Sequence, residues 1–181
     1  MTDIKKIKVL IVDDHPLMRS GIAGEVNEQA DMQVVSEAAD GNEALVAYRA
    51  HRPDVTLMDL RMPNVNGLDA MLAIKKEFPE ARFIVLTTVA GDIQVVRAFE
   101  AGARGYLLKN LVRTELIDTI RAVHAGKKRV PTEIAKLLAE HSQKMTSRKG
   151  KSRSYRAWLE EIRTRLSPTN SASPRILSRT M

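Results

Sequence analysis

The sequence predicts an α/β protein: a doubly wound, five-stranded parallel sheet, followed by a linker helix and a disordered basic tail. Three observations carry this expectation. From Lys6 to Ala125 short apolar runs alternate with amphipathic stretches, the pattern of repeated strand–helix units around a parallel sheet. Two of those runs stop at acids, since Asp13 and Asp14 close Ile7–Val12 and Asp59 closes Val55–Met58. Beyond residue 142 both the charge balance and the apolar period change.

The elements follow in order. Ile7–Val12 is the first strand, and Pro16 suits the first turn of the helix after it, where the missing N–H costs nothing; that helix runs to about Gln29. Met32–Ala38 is the second strand, and the helix from Asn42 to His51 is stopped by Arg52-Pro53. Val55–Met58 leads into a third helix, Gly67–Phe78, stopped by Pro79. Arg82–Thr87 pairs with a helix over Asp92–Ala101, and Gly105–Leu108 with one over Val112–Ala125, where Gly126 marks the stop. These units make a domain over residues 6–126, of ordinary domain size. Residues 127–142 form a linker in which Thr132–His141 can be helical, with Ile134, Leu137 and Leu138 on one side. From residue 143 Ser, Arg, Lys, Thr and Pro dominate without sustained apolar period, so 143–181 is expected to be disordered.

Bulk composition narrows the function classes. A chain of 181 residues, 44% hydrophobic, can bury one sizeable core. Without cysteine it builds no disulfide, no thiolate zinc site and no iron–sulfur cluster, which suits a reducing cytosol. The earliest apolar run is six residues long and ends in two aspartates, which fits neither a signal segment nor a membrane span. A soluble cytoplasmic protein without a membrane partner is expected. The net charge of +7 invites nucleic acid, yet residues 1–142 hold 19 Lys+Arg against 20 Asp+Glu, and 143–181 hold 10 against 2. The excess belongs to the tail, so a charge argument for nucleic acid applies there alone.

Acids at the carboxyl ends of parallel strands converge on one edge of the sheet, where open α/β folds place their ligands. Three clustered carboxylates repel one another unless a cation neutralises them. Later strands end in Thr87 and Lys109, which a doubly wound sheet brings to the same edge. Oxygen ligands alone suit a hard cation, most simply Mg²⁺. Lys109 and Thr87 then offer a charge and a hydrogen bond to an anion beside the metal. A carboxylate, a metal and a lysine around one anion meet the requirements of phosphoryl transfer to an aspartate, where positioning and charge neutralisation supply most of the catalysis.

Asp13-Asp14, Asp59 within Met58-Asp59-Leu60-Arg61-Met62-Pro63, Gly67, Thr87 and Lys109 together resemble the receiver domain of two-component response regulators. The resemblance covers Lys6 to about Ala125. It is closest to the NarL/FixJ regulators, which carry a LuxR-type helix-turn-helix after the receiver, through Asp13-Asp14-His15-Pro16, Leu86-Thr87-Thr88 and Ala101-Gly102-Ala103-Arg104-Gly105-Tyr106-Leu107-Leu108-Lys109. It implies a flavodoxin-like sheet of order 2-1-3-4-5. It also implies that Asp59 accepts a phosphoryl group from a sensor histidine kinase. Asp14, Asp59 and the backbone carbonyl of Arg61 would hold Mg²⁺, with Asp13 acting through water. Lys109 would pair with the phosphoryl oxygens, Thr87 would move to bond one of them, and Tyr106 would follow Thr87 between two rotamers. A homodimer on phosphorylation is a further implication. Many receivers place proline after this lysine in a cis peptide, whereas here Asn110 follows. A cis bond before a non-proline residue costs about 3 kcal/mol, so a trans bond is expected.

Singly, most of these residues have plainer explanations. Asp13 could cap the helix after it, Thr87 could be an ordinary strand threonine, Lys109 a solvated strand end and Tyr106 a packed aromatic; the ordered set argues otherwise. His15 reads as a surface residue at a helix start, and Lys127-Lys128-Arg129 as a solvated helix-end cluster. An acid-rich Mg²⁺ phosphohydrolase is the enzyme alternative, against which the second acid wanted two residues after Asp59 is replaced by Arg61.

The tail lacks the periodicity of a DNA-binding domain as written, but a neighbouring frame restores it. Synonymous codons for Leu166–Met181, shifted so that each new codon takes one codon's last base and the next one's first two, can read I-A-D-Q-L-S-I-S-E-D-T-V-K-N-H. Starting at Glu160 prepends G-N-P-N-K-A, and Ser152–Tyr155 gives E-V-L. Both longer strings resemble the core of a LuxR-type helix-turn-helix. Only the first base of each new codon is free, so chance does not readily sustain the match. The expectation is a frame-shifted remnant, with the shift near Gln143–Ser147, leaving a receiver-only protein that lacks sequence-specific DNA binding. If the shift is an artefact of the reported sequence, the protein is a full DNA-binding regulator. A weaker alternative is a basic tail that binds nucleic acid by counterion release.

Overall fold

Five parallel strands stand in the order β2-β1-β3-β4-β5: β1 (Ile7–Val12), β2 (Met32–Ala38), β3 (Val55–Asp59), β4 (Phe83–Thr87) and β5 (Gly105–Leu108). Between and after them run α1 (Pro16–Asn27), α2 (Gly41–His51), α3 (Gly67–Glu77), α4 (Ile93–Glu100) and α5 (Val112–His124). The structure, a computed structural model, describes residues 5–88, 93–130 and 134–136. It bears out the expected doubly wound sheet and its strand order.

Parallel strands buried on both faces need apolar residues throughout, and β1, β3 and β4 supply them. One face carries Val9, Ile11, Val55, Leu57, Ile84 and Leu86, packed with Ile22 and Val26 of α1 and Leu116, Ile120 and Val123 of α5. On the other, Tyr48 of α2 stacks on Phe83 of β4 and on Phe78 beyond α3, with ring centroids 6.5 and 5.1 Å apart. Register levels the carboxyl ends: Val12 pairs with Met58, Asp59 with Leu86 and Thr87 with Leu108. The chain leaves β1 to one side for β2 and returns to the other for β3, so the acids lie where the winding reverses.

Boundaries move by a residue or two from the sequence expectation, for identifiable reasons. Asp40 caps α2 by accepting from the N–H groups of Asn42 and Glu43 at 2.8 and 2.9 Å, so the helix opens at Gly41 rather than Asn42. Asn66 caps α3 through the Asp69 N–H at 2.9 Å. The stop at Arg52 is left-handed, with φ 47°, and Gly126 closes α5 at φ 82°. The helix ends fall at Asn27, Glu77 and His124 rather than Gln29, Phe78 and Ala125, and β3 takes in Asp59. No peptide among the described residues is cis, so the Lys109–Asn110 bond is trans.

The linker brings one surprise. Arg129 pairs with β5 as a parallel bridge opposite Gly105, accepting from the Tyr106 N–H at 3.1 Å and donating to the Arg104 carbonyl at 2.9 Å. Its side chain is solvated as expected for a helix-end cluster, but its backbone covers part of the otherwise open edge of β5. Ile134, Ala135 and Lys136 are helical. Asp92, the rest of the expected linker helix and all of 143–181 lie outside the described residues. No helix among the described residues is long and apolar enough to cross a membrane.

Candidate functional site

Strand ends assemble the site. Asp13 follows β1 and is fully buried; its backbone N–H is held by the Ala38 carbonyl at 3.1 Å, and Arg19 of α1 donates to its carbonyl at 2.6 Å. Asp59, the last residue of β3, is also buried. Its Oδ1 accepts from the Arg61 N–H at 2.9 Å. Lys109 Nζ reaches between the two acids, 2.6 Å from Asp59 Oδ2 and 2.7 Å from Asp13 Oδ2. Asp14 is half-buried beside them. The sheet therefore brings Asp13, Asp14, Asp59 and Lys109 together, as the sequence order predicts.

Thr87 is buried at the end of β4, and its carbonyl accepts from the Lys109 N–H at 2.8 Å, so the backbone links the two residues. Tyr106 is buried on β5 opposite Val85. Paired residues of parallel strands share a face and every second residue returns to it. Thr87 and Tyr106 thus lie on the face turned away from the α1–α5 core. Arg61 lies two residues past β3 and is exposed, with its backbone adjoining Asp59.

Charge is not balanced here. Three carboxylates face one ammonium, and burial raises the Asp59 carboxyl above its ordinary range, an effect that the hydrogen bonds from Lys109 and the Arg61 N–H only partly offset. Burial alone would lower the Lys109 ammonium, but its hydrogen bonds to Asp13 and Asp59 raise it instead. Two buried oxygens, Asp13 Oδ2 and Asp14 Oδ1, have Lys109 Nζ and His15 Nδ1 at 2.7 and 2.9 Å and, among the described residues, no well-directed hydrogen bond. Asp13, Asp14, His15 and Asp59 each place one ligand atom within 4.8 Å of the others. A hard divalent cation fits this donor set, since the oxygens of the set could ligate it and it would cancel the excess charge that a single lysine leaves.

Three features escaped the sequence reading. His15 does not simply face water: its Nδ1 lies 3.2 Å from Asp13 Oδ1 and 2.9 Å from Asp14 Oδ1. Gly67 approaches Asp59 so closely that a Cβ there would stand 2.0 Å from the Asp59 carbonyl oxygen. The loop after β3 is also tied to α2, through Asn64 Nδ2 to Asp40 Oδ2 at 3.3 Å and the Gly41 N–H to the Val65 carbonyl at 3.2 Å. Signals existed for the last two: Gly67 stands in the ordered motif set, and Asp40 three residues before Glu43 is a capping-box spacing, with Glu43 Oε2 accepting from the Ala39 N–H at 2.7 Å.

Fold and site together define a doubly wound domain with an acidic, lysine-tethered pocket at its switch point. The response regulator receiver domain family matches residues 9–121. The uncharacterized transcriptional regulatory protein YxjL of Bacillus subtilis is 41% identical over 121 residues, covering 67% of this chain and 56% of that protein. The response regulator protein VraR of Staphylococcus aureus is 39% identical over 120 residues, covering 66% and 57%. Among solved structures, a LuxR-family two-component response regulator from Aurantimonas superposes with a TM-score of 0.70 at 36% identity, covering 76% of this chain and 99% of that one. The chain belongs to the response regulator receiver domain family. It spans a little over half the length of the curated relatives it matches. Receiver domains bind Mg²⁺ at such an acidic pocket and act on signals from histidine kinases. They are not enzymes beyond phosphoryl transfer, so the phosphohydrolase alternative falls.

Proposed function

We propose that this protein is the phospho-accepting receiver of a two-component phosphorelay, with Asp59 taking a phosphoryl group from a sensor histidine kinase. The observation that carries it is Asp59 itself: a buried carboxylate with one oxygen on a backbone N–H and the other on Lys109, beside Asp13 and Asp14. An Asp59 oxygen forms the new bond to phosphorus as the bond from phosphorus to the donor imidazole nitrogen breaks, and the freed imidazole takes a proton. Asp14, Asp59 and the Arg61 carbonyl would hold Mg²⁺, with Asp13 acting through water, and the cation would neutralise the gathering charge. Lys109 would then turn from the acids to the phosphoryl oxygens, Thr87 would bond one of them, and Tyr106 would repack.

Incubation with acetyl phosphate and Mg²⁺, followed by intact mass, tests the acceptor. Wild type should gain one phosphoryl group and Asp59→Asn none; equal labelling would sink the assignment.

The domain boundaries 6–126, 127–142 and 143–181 are part of the same proposal, as are a cytoplasmic location and a homodimer formed on phosphorylation. The tail as written would not read a promoter. Its out-of-frame strings support a frame-shifted helix-turn-helix, and with the frame restored the protein would control transcription by binding DNA. Sequencing the gene across codons 140–181 decides between them: other synonymous codons, with nothing coherent in the second frame, would end the frameshift idea.

A further inference from the structure

We infer that His15 donates a nitrogen ligand to the cation of the acidic pocket, which raises the pocket's affinity for borderline transition-metal cations such as Ni²⁺ relative to Mg²⁺. The inference rests on the metal position proposed above and adds a ligand and a selectivity to it.

His15 occupies the N-cap of α1, where Ser, Thr, Asp or Asn is favoured because a side-chain oxygen can accept a free helix N–H. Its side chain makes no capping bond. The ring turns instead toward the acids, with Nδ1 2.9 Å from Asp14 Oδ1 and 3.2 Å from Asp13 Oδ1. The backbone fixes this posture, since the His15 N–H donates to Asp13 Oδ1 at 2.9 Å and the Arg19 N–H to the His15 carbonyl at 3.1 Å.

The spacing has a chemical meaning. Two donors bound to one cation at right angles, each about 2.1 Å away, stand about 3 Å apart. Nδ1 and Asp14 Oδ1 already lie at that separation. Asp13, fully buried, belongs to the same cluster, and its Oδ2 lies 2.7 Å from Lys109 Nζ. Imidazole is a softer donor than carboxylate or water. It adds little for Mg²⁺ and much for Ni²⁺, Cu²⁺ or Zn²⁺, along the usual order of divalent affinities.

Calorimetric titration of the full chain with MgCl₂ and with NiCl₂ tests this, using wild type, His15→Ala and Asp14→Asn. The His15 side chain is 67% exposed, so its truncation leaves the core untouched. His15→Ala should weaken Ni²⁺ binding at the pocket by about tenfold or more and Mg²⁺ by less than about twofold. Unchanged Ni²⁺ affinity, or equal losses for both cations, overturns the inference. Asp14→Asn should weaken both cations, which identifies the pocket site against nickel held by other histidines. If Asp14→Asn leaves Mg²⁺ binding intact, the pocket assignment itself fails, together with everything inferred from it. If it removes both cations while His15→Ala changes neither, only the role of His15 fails.

Discussion

The two edges of the sheet handle charge in opposite ways. At the amino edge each acid has its own partner: Asp54 Oδ2 accepts the Lys8 N–H at 2.9 Å, and the two oxygens of Asp31 take Arg121 Nε and Nη2, both at 2.9 Å. At the carboxyl edge two buried acids share one lysine, and Asp14 has the His15 ring beside it in place of a lysine or arginine, among the described residues. The titrations follow. A hydrogen bond from Arg121 holds the Asp31 carboxyl below its ordinary range, whereas burial holds Asp59 above its own in spite of Lys109. Balanced edges stabilise a fold, while an unbalanced one stores repulsion that a cation can release. That contrast separates the scaffold of this domain from its chemistry.

The hardest test of the contrast is Lys109→Met. It leaves Asp13 and Asp59 facing each other in the interior, and removing one partner of a buried charge cluster costs about 3 kcal/mol or more. Asp59 already titrates high because of burial, and without Lys109 it should titrate higher still. An acid whose folded pKa is raised destabilises the fold above that pKa and ceases to do so once protonated. The deficit of Lys109→Met should therefore be full above the raised Asp59 value and shrink as pH falls through it. Urea denaturation at two pH values checks it; a deficit that does not narrow in acid would mean that Lys109 matters by packing alone.

Gly67→Ala comes next. A Cβ 2.0 Å from the Asp59 carbonyl oxygen, and 2.9 Å from its carbonyl carbon, cannot be accommodated by a side chain giving way, because both atoms are backbone. Overpacking of this kind costs about 1–3 kcal/mol. The end of β3 must shift, so labelling by acetyl phosphate, if Asp59 accepts it as proposed, should slow along with the loss of stability. Gly21→Ala is the control, since nothing lies within 4 Å of a Cβ there. A Gly67→Ala protein as stable as Gly21→Ala and labelled at the wild-type rate would show that the loop can move without cost.

Much of this is legible in the linear chain. Apolar runs mark β1, β3 and β4 because these strands are buried on both faces, and a parallel sheet brings all carboxyl ends to one edge, so the order of residues alone groups Asp13, Asp59, Thr87 and Lys109. What stays hidden depends on paths through space. The turn of His15 onto Asp14 follows from a rotamer and a loop, and residue type alone does not specify either. Gly67 and Asp59 are brought together by the course of the intervening loop. The Arg129 bridge to β5 uses backbone groups that every residue carries, so no periodicity announces it.

The smallest expected effect lies at the balanced edge. Arg121→Ala removes both bonds to Asp31, yet the two side chains are 44% and 40% exposed, so water and salt screen the pair and the loss in stability should be slight. Its pH signature still distinguishes the edges. Asp31 is depressed in the folded protein, first by its hydrogen bond from Arg121, so the pair contributes above the unfolded carboxylate pKa and the contribution is lost as pH falls through the lower folded value. Wild type and Arg121→Ala should therefore differ at neutral pH in low salt and converge both in concentrated salt and in strong acid. For Lys109→Met the convergence begins at higher pH, where Asp59 first takes up its proton, and salt should matter less because the cluster is buried. If both variants converged over the same pH range and with the same salt dependence, the two edges would not differ in kind, and the stored repulsion at the carboxyl edge would have to be given up as the source of its chemistry.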